Sequence, residues 1–289
     1  MAATEVFAYA KLNLSLDVLD KRPDGYHEMK MVMQSIDLCD DLELSEREAP
    51  GPAVSSTLPY LPRDGGNIAA KAAEAFFAHL GRPAPGLDIH IRKQIPVCAG
   101  MAGGSSDAAA VLRLLRRHYA PSMPEEELEA VAAQVGSDVP YCVRGGTALA
   151  RGRGEILTDL PPLPACYFAV CKPTFPISTP ELFAQVRTRR LHCHPDTAGM
   201  ISALERGDLE GVAHRLYNVF EDVLPRKYAQ VFEIKRSLLD LGAIAASMTG
   251  SGPTVFGLFR DEENARQAAD ALKAHFPASF FCKNVGRAV

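Results

Sequence analysis

Apolar and polar residues alternate along residues 4–16, with Val6, Ala8, Ala10, Leu12 and Leu14 on one side. A period of two predicts a strand with one buried face. Phe7, Tyr9, Lys11, Asn13 and Ser15 share the other face, where Lys11 taken alone reads as a solvated strand lysine. Arg22-Pro23-Asp24-Gly25 reads as a turn, since proline presets φ and Asp-Gly completes it. Tyr26 and His27 follow it, placed either to anchor the turn or to hold a flat ligand. Residues 29–37 and 41–45 read as paired strands, and the Pro-, Gly- and Ser-rich residues 46–66 as a loop. Apolar positions three and four apart predict a helix over 67–80, stopped by Gly81. Residues 87–95 alternate like a strand.

The stretch PVCAGMAGGSSDAAA, residues 96–110, then joins that strand to an amphipathic helix running to about Tyr119. Glycine lets a loop take positive φ and lets backbone approach a ligand. Ser105, Ser106 or Asp107 can cap the helix, and the free N–H groups of its first turn form a cradle for phosphate. A tight turn with a capped helix is the plain alternative. A Walker A loop is excluded because no lysine follows the glycines. A dinucleotide fingerprint is excluded because Met101-Ala102 breaks its spacing.

A further helix is predicted over 125–135, ended by Gly136. Asp138 falls in a turn before Pro140, where it reads as a local cap. A short strand and a glycine-rich hairpin follow. Pro161, Pro162 and Pro164 mark a candidate boundary, which divides the chain into 1–160 and 161–289. Beyond it the pattern predicts a buried strand (166–173) and a helix opened by Ser178, Thr179 and Pro180. Helices follow near 196–205, 209–217 and 227–241. A strand, glycine loop and strand occupy 243–259, then a helix (262–275) and a last strand (279–285). Strands and helices mix in both halves without regular βα alternation, which places the fold in the α+β class.

With 289 residues, 47% of them hydrophobic, the chain can build a substantial core of one or two domains. A net charge of −4 argues against a nucleic-acid partner. No apolar run is long enough for a bilayer and no signal peptide is visible, so neither membrane nor export is expected. Seven scattered cysteines without Cys-x-x-Cys pairs suit a reducing cytoplasm. His192 and His194 could share a strand face and bind zinc, but no second ligand pair follows, so a surface loop is expected.

Three segments stand in order: AYAKLNLSLDV (8–18), PVCAGMAGGSSDAAA, and SMTGSGPTVFGLF (247–259). Together they resemble the GHMP kinase superfamily. KRPDGYHEM, GSDVPYCVRGG with GRGE, and KPTFPISTPELF are similar to the branch that phosphorylates a cytidine-diphosphate-linked methylerythritol on the way to isoprenoid precursors. The resemblance implies an N-terminal domain like ribosomal protein S5 domain 2 and a ferredoxin-like C-terminal domain, with the site in the cleft between. It implies ATP and Mg2+, a bacterial cytoplasmic enzyme, and a monomer or homodimer.

By the same resemblance Lys11 and Asp138 form the catalytic pair. Lys11 would lower the pKa of the attacking hydroxyl or screen charge, and Asp138 would orient it and accept its proton. Gly100, Met101, Ala102, Gly103, Gly104, Ser105 and Ser106 would hold the ATP phosphates, with Asn67 and Lys93 near the adenine. Tyr26 and Phe183 would sandwich cytosine and His27 would bond its edge. Asn13 would lie near the erythritol and phosphates. Thr249 and Gly250 would also contact the substrate, and Gly250 and Gly252 would close the cleft from the C-terminal domain. The magnesium ligands stay open, Ser106 being one candidate. Two other readings stand beside this one: another small-molecule kinase of the superfamily, acting on homoserine or mevalonate, and an S5-like module that binds RNA.

Overall fold

In the computed structural model, the described residues are 3–63, 65–188, 191 and 193–287. The first half builds on two long strands, β1 (Thr4–Lys21) and β2 (His27–Glu46). β3 (Pro52–Ser56), α1 (Ile68–His79), β4 (Leu87–Arg92), α2 (Gly103–Tyr119), α3 (Glu125–Val135) and α4 (Val139–Arg144) follow. The hairpin of β5 (Thr147–Gly152) and β6 (Ile156–Asp159) ends this half. The second half contains β7 (Tyr167–Cys171), α5 (Thr179–Thr188), α6 (Thr197–Glu205), α7 (Leu209–Ala213), β8 (Tyr217–Asn218) and α8 (Val219–Asp222). Then come α9 (Gln230–Asp240), β9 (Ala245–Met248), β10 (Val255–Phe259), α10 (Glu262–Lys273) and β11 (Ser279–Lys283). None of the described helices is long and apolar enough to cross a membrane.

Two sheets result. The seven-stranded sheet runs β3-β4-β2-β1-β8, with β5 beside β2 and β6 beside β5. The four-stranded sheet runs β11-β7-β10-β9, antiparallel throughout. The chain passes from the first sheet to the second between Asp159 and Tyr167, across Pro161–Pro164. It returns at β8, which pairs with β1 at Ser15 and Leu16, and at Arg287, which bridges Gly145.

Residues 29–37 and 41–45 do not pair with each other. They are one strand, and β1 runs antiparallel along it with register shifts between Tyr9 and Lys11, Asn13 and Ser15, and Val18 and Lys21. No glycine or proline interrupts 37–41. Asp40 instead turns inward, its Oδ1 accepting the N–H groups of Gln94 and Ile95 at 2.5 and 2.8 Å. β2 forks on its far edge, pairing with β5 over 29–34 and with β4 over 41–46. The expected loop at 46–66 hides β3, which lies parallel to β4. The segment after Asp138 is helix α4 rather than a strand, with Pro140 in its first turn. The expected helix over 209–217 is shorter, because Tyr217 and Asn218 extend to meet β1.

Helix α2 crosses β1 and α1. Ala108, Ala109, Val111, Leu112 and Leu115 are wholly buried in that contact. Arg116, Arg117 and His118 in its last turn face the negative end of the helix dipole.

Candidate active site

Lys11 is not solvated. It is 3% exposed, because a loop from the second half covers this face of β1. Its ammonium donates to Asn13 Oδ1 at 2.6 Å and to the carbonyl of Gly100 at 2.8 Å. Burial pulls its pKa below the usual lysine value, and the negative charge of Asp138 partly offsets this. Asn13 is the knot of the covering contact. Its Oδ1 also accepts the N–H of Gly250 at 2.9 Å, and its own N–H donates to Thr249 Oγ1 at 3.0 Å. Asn218 holds the other side of this loop, donating from Nδ2 to the carbonyls of Met248 and Gly250 at 2.7 and 2.9 Å.

Gly100 has φ +73°, and a Cβ there would stand 2.3 Å from the Thr249 carbonyl oxygen. Gly250 has φ +56°, and its Cβ would stand 2.7 Å from the Gly100 carbonyl oxygen. The two glycines therefore let two loops meet backbone to backbone.

The start of α2 differs from the capping expected. Ala102 is the N-cap, in the left-handed region at φ 59°, and no side chain caps it. Ser106 N–H makes the first intrahelical bond, to the Ala102 carbonyl at 2.8 Å. The N–H groups of Gly103, Gly104 and Ser105 precede that bond and have no intrahelical partner, and all three residues line the cavity. Ser106 is 1% exposed, and its hydroxyl donates to the Tyr9 carbonyl at 2.7 Å. It faces the strand beneath and is not among the residues that line the cavity. Met101 is wholly buried in the core.

A cavity of about 930 Å³ brings together Lys11, Asn13, Asp138, the Gly100–Ser105 loop apart from Met101, and the aromatic residues Tyr26, His27 and Phe183. Gly250, Gly252, Asn67 and Lys93 also line it. Met101, Ser106 and Thr249 support it from behind. Asp138 is the N-cap residue of α4, yet its carboxylate caps nothing. It shares the cavity with Lys11 without an ion pair between them.

The two adenine candidates are already engaged within the chain. Asn67 caps α1, accepting from Ala69 N–H at 2.9 Å and donating to the Pro62 carbonyl at 2.9 Å. Lys93 is clamped between Asp40 and Asp107, at 2.5 and 2.8 Å. Burial raises the Asp107 pKa to about 8 against the pull of Lys93, and the charge of Asp40 adds to the rise. Its Oδ1 has no hydrogen-bond partner. The two carboxylates together hold the Lys93 ammonium above its usual pKa although burial opposes this.

The aromatic end is arranged differently from a bare Tyr26–Phe183 sandwich. Phe183 stacks on His27 with ring centroids 5.1 Å apart and meets the edge of Phe220 at 5.1 Å. Tyr26 is 55% exposed at the rim, with the Arg153 guanidinium 5.1 Å from its ring centre. Arg153 also lines the cavity. The sequence had given only its setting, the Gly-Arg-Gly-Glu turn. Asn218 and Asp40 carried no signal, and Asp107 read only as a possible cap, since these partners lie 14 to 54 residues away.

In the zinc-like segment, His192 lies outside the described residues. His194 Nδ1 is instead 2.7 Å from Asp17 Oδ1. Among the described residues no group of three His, Cys, Asp or Glu could hold a metal ion. All seven cysteines are free.

Comparison with known proteins places this geometry. The family described as GHMP kinases N terminal domain matches residues 67–146, and that described as GHMP kinases C terminal matches 200–278. The 4-diphosphocytidyl-2-C-methyl-D-erythritol kinase of Clostridium botulinum (strain Kyoto / Type A2) is 41% identical over 278 residues, covering 96% of this chain and 99% of its own. That of Alkaliphilus metalliredigens (strain QYMF) is 39% identical over 287 residues, covering 99% and 98%. A crystal structure of 4-(cytidine 5'-diphospho)-2C-methyl-D-erythritol kinase superposes with TM-score 0.82 at 32% identity, covering 98% of this chain and all of that one. A homoserine kinase from Cytophaga hutchinsonii, 20% identical with TM-score 0.75 over 100% of this chain and 96% of that one, shares the fold. A two-domain α+β architecture, a glycine loop at a helix start and near full-length identity at this level agree: the chain belongs to the GHMP kinases, in the group formed by the 4-diphosphocytidyl-2-C-methyl-D-erythritol kinases.

Proposed function

We propose that this enzyme transfers the γ-phosphoryl group of ATP to the 2-hydroxyl of 4-diphosphocytidyl-2-C-methyl-D-erythritol, giving the 2-phosphate and ADP in the non-mevalonate route. The observation that supports it is the common cavity of a buried lysine, an uncapping aspartate and the open start of α2, with aromatic rings at the far end. The cavity volume lies at the upper end of the range for ligand clefts, as two sizeable ligands require.

Phosphoryl transfer depends on positioning and charge neutralisation more than on covalent help. In our reading the N–H groups of Gly103, Gly104 and Ser105 hold phosphate oxygens without a mobile side chain. Lys11, fixed by Asn13 and Gly100, stands against the acceptor oxygen and the charge that develops there. Asp138 orients the 2-hydroxyl and takes its proton late in the transfer. The adenine lies toward Asn67 and Lys93. The cytosine lies among Tyr26, His27 and Phe183, with Arg153 as an added donor. Selection of that base comes from hydrogen bonds to its edge, because stacking alone accepts any base.

A kinase of this family uses ATP with a divalent cation, which we take to be Mg2+. Mg2+ prefers one or two carboxylates plus phosphate oxygens and water. The donors present suit this: the Asp138 carboxylate and the Ser105 hydroxyl, both lining the cavity, would hold it. When bound it would neutralise charge on the phosphate oxygens. We further propose domains at 1–160 and 161–289 and a cytoplasmic enzyme that is a monomer or homodimer. A coupled ADP-release assay tests the substrate. Turnover with the cytidyl substrate alone is expected, and comparable turnover of homoserine or mevalonate would overturn the assignment.

A further inference from the structure

A second cavity, of about 270 Å³, lies away from the active site between the start of β1, the last turn of α2 and residues 285–287. Glu5, Phe7, Tyr9, Arg113, Arg117 and Arg287 form most of its wall. Arg113 is the unusual member. It is 8% exposed, and its Nη1 and Nη2 donate to the carbonyls of Cys142 and Phe7 at 2.6 and 2.7 Å. Its Nε has no partner, and no carboxylate stands within ion-pair distance of it among the described residues. Burial lowers its pKa to about 10, and the charges of Arg117 and Arg116 press the same way. A buried cation without a counter-charge is costly, so its neighbourhood favours an incoming anion.

The rest of the wall agrees. Arg117 is exposed and has no ion pair among the described residues. Arg287 is shared with Glu125 and Asp159. Glu5 is the one carboxylate in the wall, and it already reaches Arg92 at 3.4 Å. The cavity is smaller than a cleft for a drug-sized molecule, and it suits a compact ion. Guanidinium forks match the oxygens of phosphate. We propose that this cavity binds a small multivalent oxyanion of the phosphate or diphosphate class on Arg113 and Arg117. The site is joined to α4, the helix that starts at Asp138, through the bond from Arg113 to Cys142.

Isothermal titration calorimetry tests this on the full chain with its active site filled by a non-hydrolysable ATP analogue and the cytidyl substrate. The probes are inorganic phosphate, inorganic diphosphate and glycerol phosphate. One saturable equivalent is expected, at least ~10-fold weaker in Arg117→Glu, the loss of one charge-assisted hydrogen bond. The kcat of that variant without added anion should match wild type, which shows that it is folded. Binding of glycerol phosphate as well as phosphate would mark the source as a phosphomonoester. Binding of the inorganic ions alone would mark a free ion. No saturable heat with any probe, or unchanged affinity in Arg117→Glu, overturns the proposal and leaves Arg113 as a strut between Phe7 and Cys142.

Discussion

The side-chain oxygen of Asn13 accepts the N–H of Gly250 at 2.9 Å, although the two residues are 237 apart in sequence. The same oxygen accepts a hydrogen bond from the Lys11 ammonium at 2.6 Å. One atom thus sets both the ammonium and the loop that covers it. Asn13→Ala should cost ~1–3 kcal/mol by stranding these donors, read as a lower Tm together with a lower kcat. Asn13→Asp keeps the acceptor and adds a negative charge beside Lys11, so it should raise the lysine pKa that burial lowers. Activity that needs the ammonium is lost as pH rises through that pKa. The alkaline limb of kcat against pH should therefore move up in Asn13→Asp, and an unmoved limb would remove Lys11 from it.

Asp138→Asn should lower kcat at least ~100-fold, in line with the loss of a general base. Its carboxylate caps no helix, so folding should be little affected. ATP affinity measured by calorimetry without added divalent cation should survive. Near-normal turnover would take Asp138 out of the transfer step.

Tyr26→Ala should raise KM for the cytidyl substrate with less effect on KM for ATP. Arg153→Ala should act in the same direction, through loss of a contact over the Tyr26 ring worth ~0.5–1 kcal/mol and of a donor at the rim. Equal losses for both substrates in both variants would move this corner away from cytosine recognition.

The Asp107 pKa is raised to about 8 in the folded chain by burial, whereas an unfolded aspartate titrates near 3.8. Between these values the folded state binds a proton that the unfolded state has released. Stability from this group accordingly falls as pH rises from about 4 to about 8 and is level above that. Asp107→Asn removes the slope. Tm of the variant relative to wild type should climb between pH 5 and pH 8, and a constant difference would place the proton elsewhere.

Element ends were legible where a single residue decides them. Gly136 ends α3, Gly81 stands just past the end of α1, and the glycine loop before α2 stood out from its composition. What the sequence hid depends on distant cover. Lys11 reads as solvated because the loop that buries it comes from residues 249–250. Residues 38–40 read as a break between two strands, whereas Asp40 is satisfied inside by two N–H groups and Lys93. The Ser105-Ser106-Asp107 run looks like a cap, yet Ser106 and Asp107 point to Tyr9 and Lys93. Local pattern locates such residues, and only tertiary partners fix which way their side chains turn.

Gly100 and Gly250 meet with no room for a methyl group between them. A polypeptide cut after Pro164 would still contain Lys11, the glycine loop and Asp138, but would lack the strip that shuts water away from the ammonium. Such a fragment should be inert by itself. Adding the complementary fragment from Ala165 onward should restore turnover only where both glycines are retained.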